Sequence, residues 1–368
     1  MGIYEELGVK KFINAWGPMT IMGGSLMRPE TVQAMVEASR AFVDLHEMQR
    51  KCGERIAELI GVEACYISGG AAAGLAIATS AAVAGDDPAK IARLPDTSGM
   101  KNEVIMQRLH RNVYDHAVRQ VGVKLVEVGY GGGAQDWELE AALNENTAAI
   151  VHVYASWTRN RGLQLPDVVR IAHNHGVPVI VDAAAETPPF RNLRGLSETG
   201  ADMVCFSGGK GIMGPQNTGL ILGSKHWIAL CARNGPPRHC LARSMKVAKE
   251  DMAGIVKAVE LYVSWDHEAI QRRWVEQVDV VVSALQGIPG VKAERLDAGY
   301  SEGLPVARIT LDSSQCRRTI AEVFDELENG EPGIRVSRGT DWFAVNPHFL
   351  EPGEEQLVAA RLREIFST

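Results

Sequence analysis

Apolar positions first recur at helical spacing after Pro29, at Val32, Met35, Val36, Phe42 and Val43. Asp44 stands where it can cap a second helix, which carries Leu45, Met48, Cys52, Ile56, Leu59 and Ile60. From there the pattern alternates. Ala64–Ser68, Lys124–Val128, Ala148–Tyr154, Val177–Val181, Met203–Phe206 and Thr218–Leu222 read as short strands, several of them apolar on both faces. Between them lie an Ala-rich helix to about Ala84, a helix capped by Asp136 through Leu143, and a helix over Leu165–His175. Strands buried on both sides and alternating with helices predict an α/β fold built on a mostly parallel sheet.

Asn234-Gly235-Pro236-Pro237 breaks the alternation and reads as a linker. One long helix is expected from about Lys249 to Glu276. A strand Val306–Leu311, a helix near Thr319–Glu328 and a final helix from Glu354 follow. The expected organisation is an N-terminal segment over 1–44, a large domain over 45–235 and a smaller C-terminal α+β domain over 236–368.

A chain of 368 residues can bury a core without metal or disulfide support. The net charge of −7 is spread over mixed acid and base, with no basic stripe, so no nucleic-acid partner is expected. None of the six cysteines forms a C-x-x-C pair, and free thiols are expected. His173 and His175 are two apart and do not share a helical face, so no metal site is expected. The first residues lack the basic start and apolar run of a signal peptide, and no stretch is long enough to span a membrane. A cytoplasmic location is the expectation.

Three features follow strand ends, where open α/β sheets bind ligands. Ser68-Gly69-Gly70-Ala71 runs from a strand through glycines into a helix, whose first N–H groups can hold a phosphate. It is neither a Walker A loop nor G-x-G-x-x-G. Asp182 closes an apolar strand, where a carboxylate must be wet or paired. Lys210 stands in the loop Ser207-Gly208-Gly209-Lys210-Gly211, and glycines on both sides leave its side chain room to move. A phosphate cradle, an acid and a lysine on successive strand ends suit pyridoxal 5′-phosphate (PLP). The acid could keep the ring nitrogen protonated, and Lys210 could hold the cofactor as a Schiff base and act as a base at the substrate Cα.

These motifs resemble the fold-type I PLP enzymes, with their aspartate aminotransferase-like fold. Within them the chain is similar to the group related to bacterial selenocysteine synthase, including its short ammonia-lyase members. The likeness rests on Ile13-Asn14-Ala15 with Gly23-Gly24-Ser25, the Ser68–Gly74 loop, Tyr114-Asp115-His116-Ala117, Val181–Ala185, Ser207–Lys210 with Gly214-Pro215-Gln216, and Arg243–Val247. The selenocysteine synthases carry Ser-Gly-Asp-Lys where this chain has Gly209 before Lys210. The resemblance implies that Lys210 and Asp182 are catalytic. It implies that Ser68, Gly69, Gly70, Ala71 and Ser207 contact the cofactor and that an aromatic or His side chain stacks on it, with His116 taken first and His110 and Tyr114 beside it. For an amino-acid substrate, Arg243, Lys249 and Arg338 are the binding candidates, with Arg159, Arg161 and Arg335 also in play. The implied activity is a lyase that removes a β-hydroxyl as water from an amino acid or aminosugar acid, with or without a phosphate, and releases ammonia by hydrolysis to give a 2-oxo acid. A racemase, an aldolase and a selenocysteine synthase-like transferase stay open beside it. A homodimer or higher homo-oligomer is implied.

Overall fold

A computed structural model describes residues 2–297 and 302–367. Internal contacts group the chain into two units, Ser25–Trp265 and Met1–Gly24 with Asp266–Thr368.

The smaller unit carries a five-stranded sheet in the order β1 (Phe12–Ala15), β11 (Gly333–Arg338), β12 (Trp342–Val345), β10 (Val306–Leu311), β9 (Val291–Leu296). Only the β1–β11 pair is parallel. Its own core gathers Ile13, Val281, Ile309, Phe343 and Leu362.

The larger unit carries seven strands: β2 (Ala64–Ser68), β3 (Glu103–Gln107), β4 (Lys124–Val128), β5 (Thr147–Val153), β6 (Val179–Asp182), β7 (Met203–Ser207) and β8 (Gly219–Gly223). Their order is β2-β8-β7-β6-β5-β3-β4. β8 runs antiparallel to both its neighbours, and the other pairs are parallel. All seven residues of β5 are buried, as an apolar run covered on both faces requires. Alternate residues serve different cores: Val204 and Phe206 of β7 join one cluster, Met203 and Cys205 the other. The Ala-rich helix Ala71–Ala84 is buried on nearly every side, which is why it shows no amphipathic stripe.

Several boundaries shift for identifiable reasons. The helix starting at Asp136 takes Gln135 as its cap, with Glu138 reaching back to the Gln135 N–H at 2.9 Å. The single helix expected over 249–276 is two, Lys249–Ser264 and His267–Ala284, because the Asp266 side chain accepts from Ala269 N–H and starts a new helix. The linker expected at 234–237 lies inside the larger unit. The helix Lys249–Ser264 beyond it packs on helices Pro29–Ala38 and Leu45–Ile60 of that same unit. The N-terminal segment divides between the units at Gly24.

Candidate active site

The sheet register brings the sequence candidates to one edge. Ser68 and Ser207 both pair with Gly219, from opposite sides of β8. Cys205 pairs with Asp182, and Asp182 with Val153. The last residues of β2, β5, β6 and β7 therefore share one end of the sheet, and the loops that follow them form its rim.

The first loop is shaped by what it excludes. Gly69 lies against the Met245 carbonyl, where a Cβ would sit 2.4 Å from the oxygen. Gly70 has φ +110°, a left-handed value that favours glycine, and its outer side opens to empty space. The Ser68 hydroxyl donates to the Gly70 carbonyl at 2.9 Å, so this side chain shapes the loop from within. Helix Ala71–Ala84 starts here with no side-chain cap, leaving its first amides available.

The lysine loop is held on every side. Gly208 N–H donates to Thr218 C=O and Gly214 N–H to Gly208 C=O, both at 2.8 Å. Ser25 Oγ donates to Gly209 C=O at 3.1 Å, and Asn217 Nδ2 to Asp251 at 2.8 Å. Met213 takes φ +57°, a strained value for a side-chain-bearing residue. A Cβ on Gly209 would stand 2.4 Å from Gln216 Cα. Gly209→Ala is therefore expected to cost about 1–3 kcal/mol and to weaken cofactor retention, readable by thermal melting with and without PLP.

Asp182 and Lys210 face each other electrostatically inside this rim. Burial pushes the Asp182 carboxyl up, against one backbone N–H from Ala184 at 3.0 Å and the charge of Lys210. Burial pushes the Lys210 amine down, while Asp182 and Glu186 oppose it. Asp182 accepts no other hydrogen bond among the described residues, so the pocket presents a buried acid that a cationic partner would stabilise. The Ser207 hydroxyl, half-buried at the end of β7, makes no hydrogen bond among the described residues. An open, uncapped helix start, a buried acid and a desolvated amine fit PLP's phosphate, ring nitrogen and aldehyde respectively.

Other candidates are placed less uniformly. His116 is exposed at the head of a short helix, His116–Arg119. His110 is fully buried, accepts from Val153 N–H at 3.1 Å, and meets the ring of His152 edge-on at 4.4 Å. Burial pushes the His110 pKa down to about 4, which keeps the ring neutral. Arg243 is exposed on the turn Leu241–Met245, two residues from the carbonyl that closes on Gly69. Lys249 is engaged within the chain: its ammonium donates to Ala38 C=O at 2.6 Å and pairs with Glu250, tying two helices together. Arg338 belongs to the smaller unit, with its guanidinium 4.0 Å over the Phe324 ring. Arg335 there pairs with Glu328, and Arg161 donates to the Gly131 carbonyl at 3.0 Å.

One pair escaped the sequence reading. Arg159, after β5, donates to Glu186, after β6, at 2.8 Å, and the Glu186 side chain is 1% exposed. Arg159 was visible as a candidate alone. The signal that links them is that β5 and β6 are parallel neighbours, so the loops after them must meet.

Comparison with known proteins agrees with this geometry. A serine palmitoyltransferase structure from S. paucimobilis with bound PLP superimposes with a TM-score of 0.60 at 14% identity, covering 97% of this chain and 87% of that one. The fold is that of the fold-type I PLP enzymes. The chain belongs to the L-seryl-tRNA selenium transferase (SelA) family, whose profile matches residues 19–316. It is 38% identical to a D-glucosaminate-6-phosphate ammonia lyase of Salmonella typhimurium over 373 residues, 99% of this chain and 97% of that protein. A solved structure of a D-glucosaminate-6-phosphate ammonia-lyase matches with a TM-score of 0.87 at 38% identity, covering 100% of this chain and 98% of that one. A 5'-C-glycyluridine monooxygenase-decarboxylase from Streptomyces sp is 32% identical, across 98% of this chain and 91% of its own. The protein is a PLP-dependent enzyme.

Proposed function

We propose that the protein is an ammonia-lyase that acts on an amino acid or aminosugar acid, with a 6-phosphorylated aminosugar acid as the leading substrate. The observation that carries this reading is the end-to-end 38% identity to the D-glucosaminate-6-phosphate ammonia lyase. The shared sheet edge supports it by joining the Ser68–Ala71 loop, Asp182 and Lys210.

Lys210 would hold the cofactor through its side-chain nitrogen and would serve as the acceptor of the substrate Cα proton. Asp182 would keep a proton on the ring nitrogen, whose positive charge would offset the cost that burial places on the carboxylate. The Gly69–Ala71 amides and the Ser207 hydroxyl hold the phosphate. When bound, PLP would supply the sink for the electron pair left when the Cα–H bond breaks, with a β-hydroxyl leaving as water and a later hydrolysis giving a 2-oxo acid and ammonia. Arg243, exposed near the glycine loop, is the candidate for a substrate phosphate or carboxylate. His116 is kept as the candidate to stack on the ring, and Arg338 as a carboxylate candidate.

A homo-oligomer belongs to this proposal. Leu26, Phe42, Val113 and Tyr114 of the larger unit expose 66%, 103%, 77% and 58% of their surface, an apolar load suited to a partner subunit. A cytoplasmic location is proposed with it. No helix of the described residues is long and apolar enough to cross a membrane.

The test is ammonia release from a panel containing D-glucosaminate 6-phosphate, unphosphorylated D-glucosaminate and both enantiomers of serine. The proposal expects the phosphorylated aminosugar acid to lead by about tenfold or more in kcat/KM, the scale of one charge-assisted contact. Release from none of them, by a yellow PLP-loaded protein, would overturn the lyase reading for this panel and favour the racemase or aldolase.

A further inference from the structure

The loop after β6 turns back on the lysine loop. Thr187 C=O presses on Gly211, where a Cβ would lie 2.0 Å from the oxygen, so Glu186 and Lys210 stand one residue either side of a direct backbone contact. Glu186 is fixed in place. Its N–H donates to Ala183 C=O at 3.1 Å, its C=O accepts from Asn192 at 2.9 Å, and its carboxylate is held by Arg159. The Arg159 guanidinium lies 6.0 Å from the Tyr154 ring centroid, at the end of β5. The Glu186 backbone is thus fixed by its own turn and by Asn192, and its buried carboxylate is held by Arg159.

The charged groups around Lys210 are few. Asp182 from β6 and Glu186 from the loop beyond it act on its amine. Arg159 acts through Glu186, and Asp251, from the helix over the loop, is engaged with Asn217. On the reading above, the cofactor's ring nitrogen takes up Asp182. Glu186 is then the acid that faces the lysine nitrogen in the loaded enzyme.

We propose that Glu186, held by Arg159, is a positioning residue that sets the charge state of the Lys210 nitrogen. Its negative charge favours the protonated form of that nitrogen, and Arg159 holds the carboxylate in place. This inference rests on Lys210 being the cofactor lysine.

The test reads the pH midpoint of the cofactor's absorbance in the resting, PLP-loaded protein. Borohydride reduction and peptide mapping of each sample come first, so that a cofactor found elsewhere than on Lys210 is scored against the lysine assignment. With Lys210 labelled, Glu186→Gln is expected to lower the midpoint by about one pH unit or more, the scale of a neighbouring opposite charge. Glu186→Asp, which keeps the charge, is expected to restore it. The double variant Arg159→Met/Glu186→Leu leaves no isolated buried charge and so guards against misfolding of the single variant. It too is expected to lower the midpoint, by less, because a cation leaves with the acid. An unchanged midpoint in Glu186→Gln, or in the double variant where the single fails to fold, would overturn the proposal.

Discussion

Lys210→Ala is expected to lose covalent cofactor attachment and to cut turnover by about 10³-fold or more, since one side chain serves as both cofactor anchor and proton acceptor. The fold should survive. Lys210 is a partly buried charge whose amine burial pushes down, so its removal relieves a desolvation cost and leaves the glycine loop untouched. Melting temperature and bound PLP, measured on the same preparation, separate the two effects. Retained folding with lost attachment is the expected pair. Added small amines should restore part of the activity, because they replace the missing base without restoring the link.

The second large effect is at Asp182. Asp182→Asn is expected to lower kcat by about 10²-fold or more, the scale of losing one preorganised electrostatic contact. Its stability effect depends on the cofactor. Burial raises the Asp182 carboxyl above its unfolded value of about 3.9. The folded state then binds the proton more tightly than the unfolded chain. Stability from this group is full below the unfolded value and is lost as pH rises through the raised one. The cofactor-free wild type should therefore melt lower than cofactor-free Asp182→Asn at neutral pH, with the gap closing toward acid. Loading PLP should reverse the order, because the ring nitrogen then sets a cation directly against the carboxylate, more than the Lys210 charge offsets in the cofactor-free protein. Melting curves across pH, with and without PLP, would reveal the crossover; its absence would mean that Asp182 does not meet a cation.

How far the sequence announced this molecule varies by element. Strands covered on both faces wrote themselves as apolar runs, so β2, β5, β7 and β8 fall within one residue of their expected limits. Caps made by a lone Asp were legible at Asp44, whose carboxylate accepts from His46 and Glu47 N–H groups. Asp266 was read through as part of a long helix, because a polar residue between two amphipathic stretches looks like a solvated turn of one helix. β3 was not anticipated: Glu103–Gln107 is short and flanked by polar residues, and its burial comes from pairing with both β4 and β5. The site shows the same division. Lys210, Asp182 and the glycine loop announce themselves because each breaks an apolar strand pattern with a chemically specific residue. Lys249 and the Arg159–Glu186 pair could not be assigned, since their partners lie 211 and 27 residues away along the chain.

The central claim is that Lys210 carries PLP at the edge of the larger sheet. Its most direct test is to reduce the PLP-loaded wild-type protein with borohydride, digest it and locate the pyridoxyl mass by peptide sequencing. The structure predicts a single modified residue, Lys210, and no label in Lys210→Ala. A label on any other lysine, or an unlabelled Lys210 in a protein that retains PLP, would contradict the account.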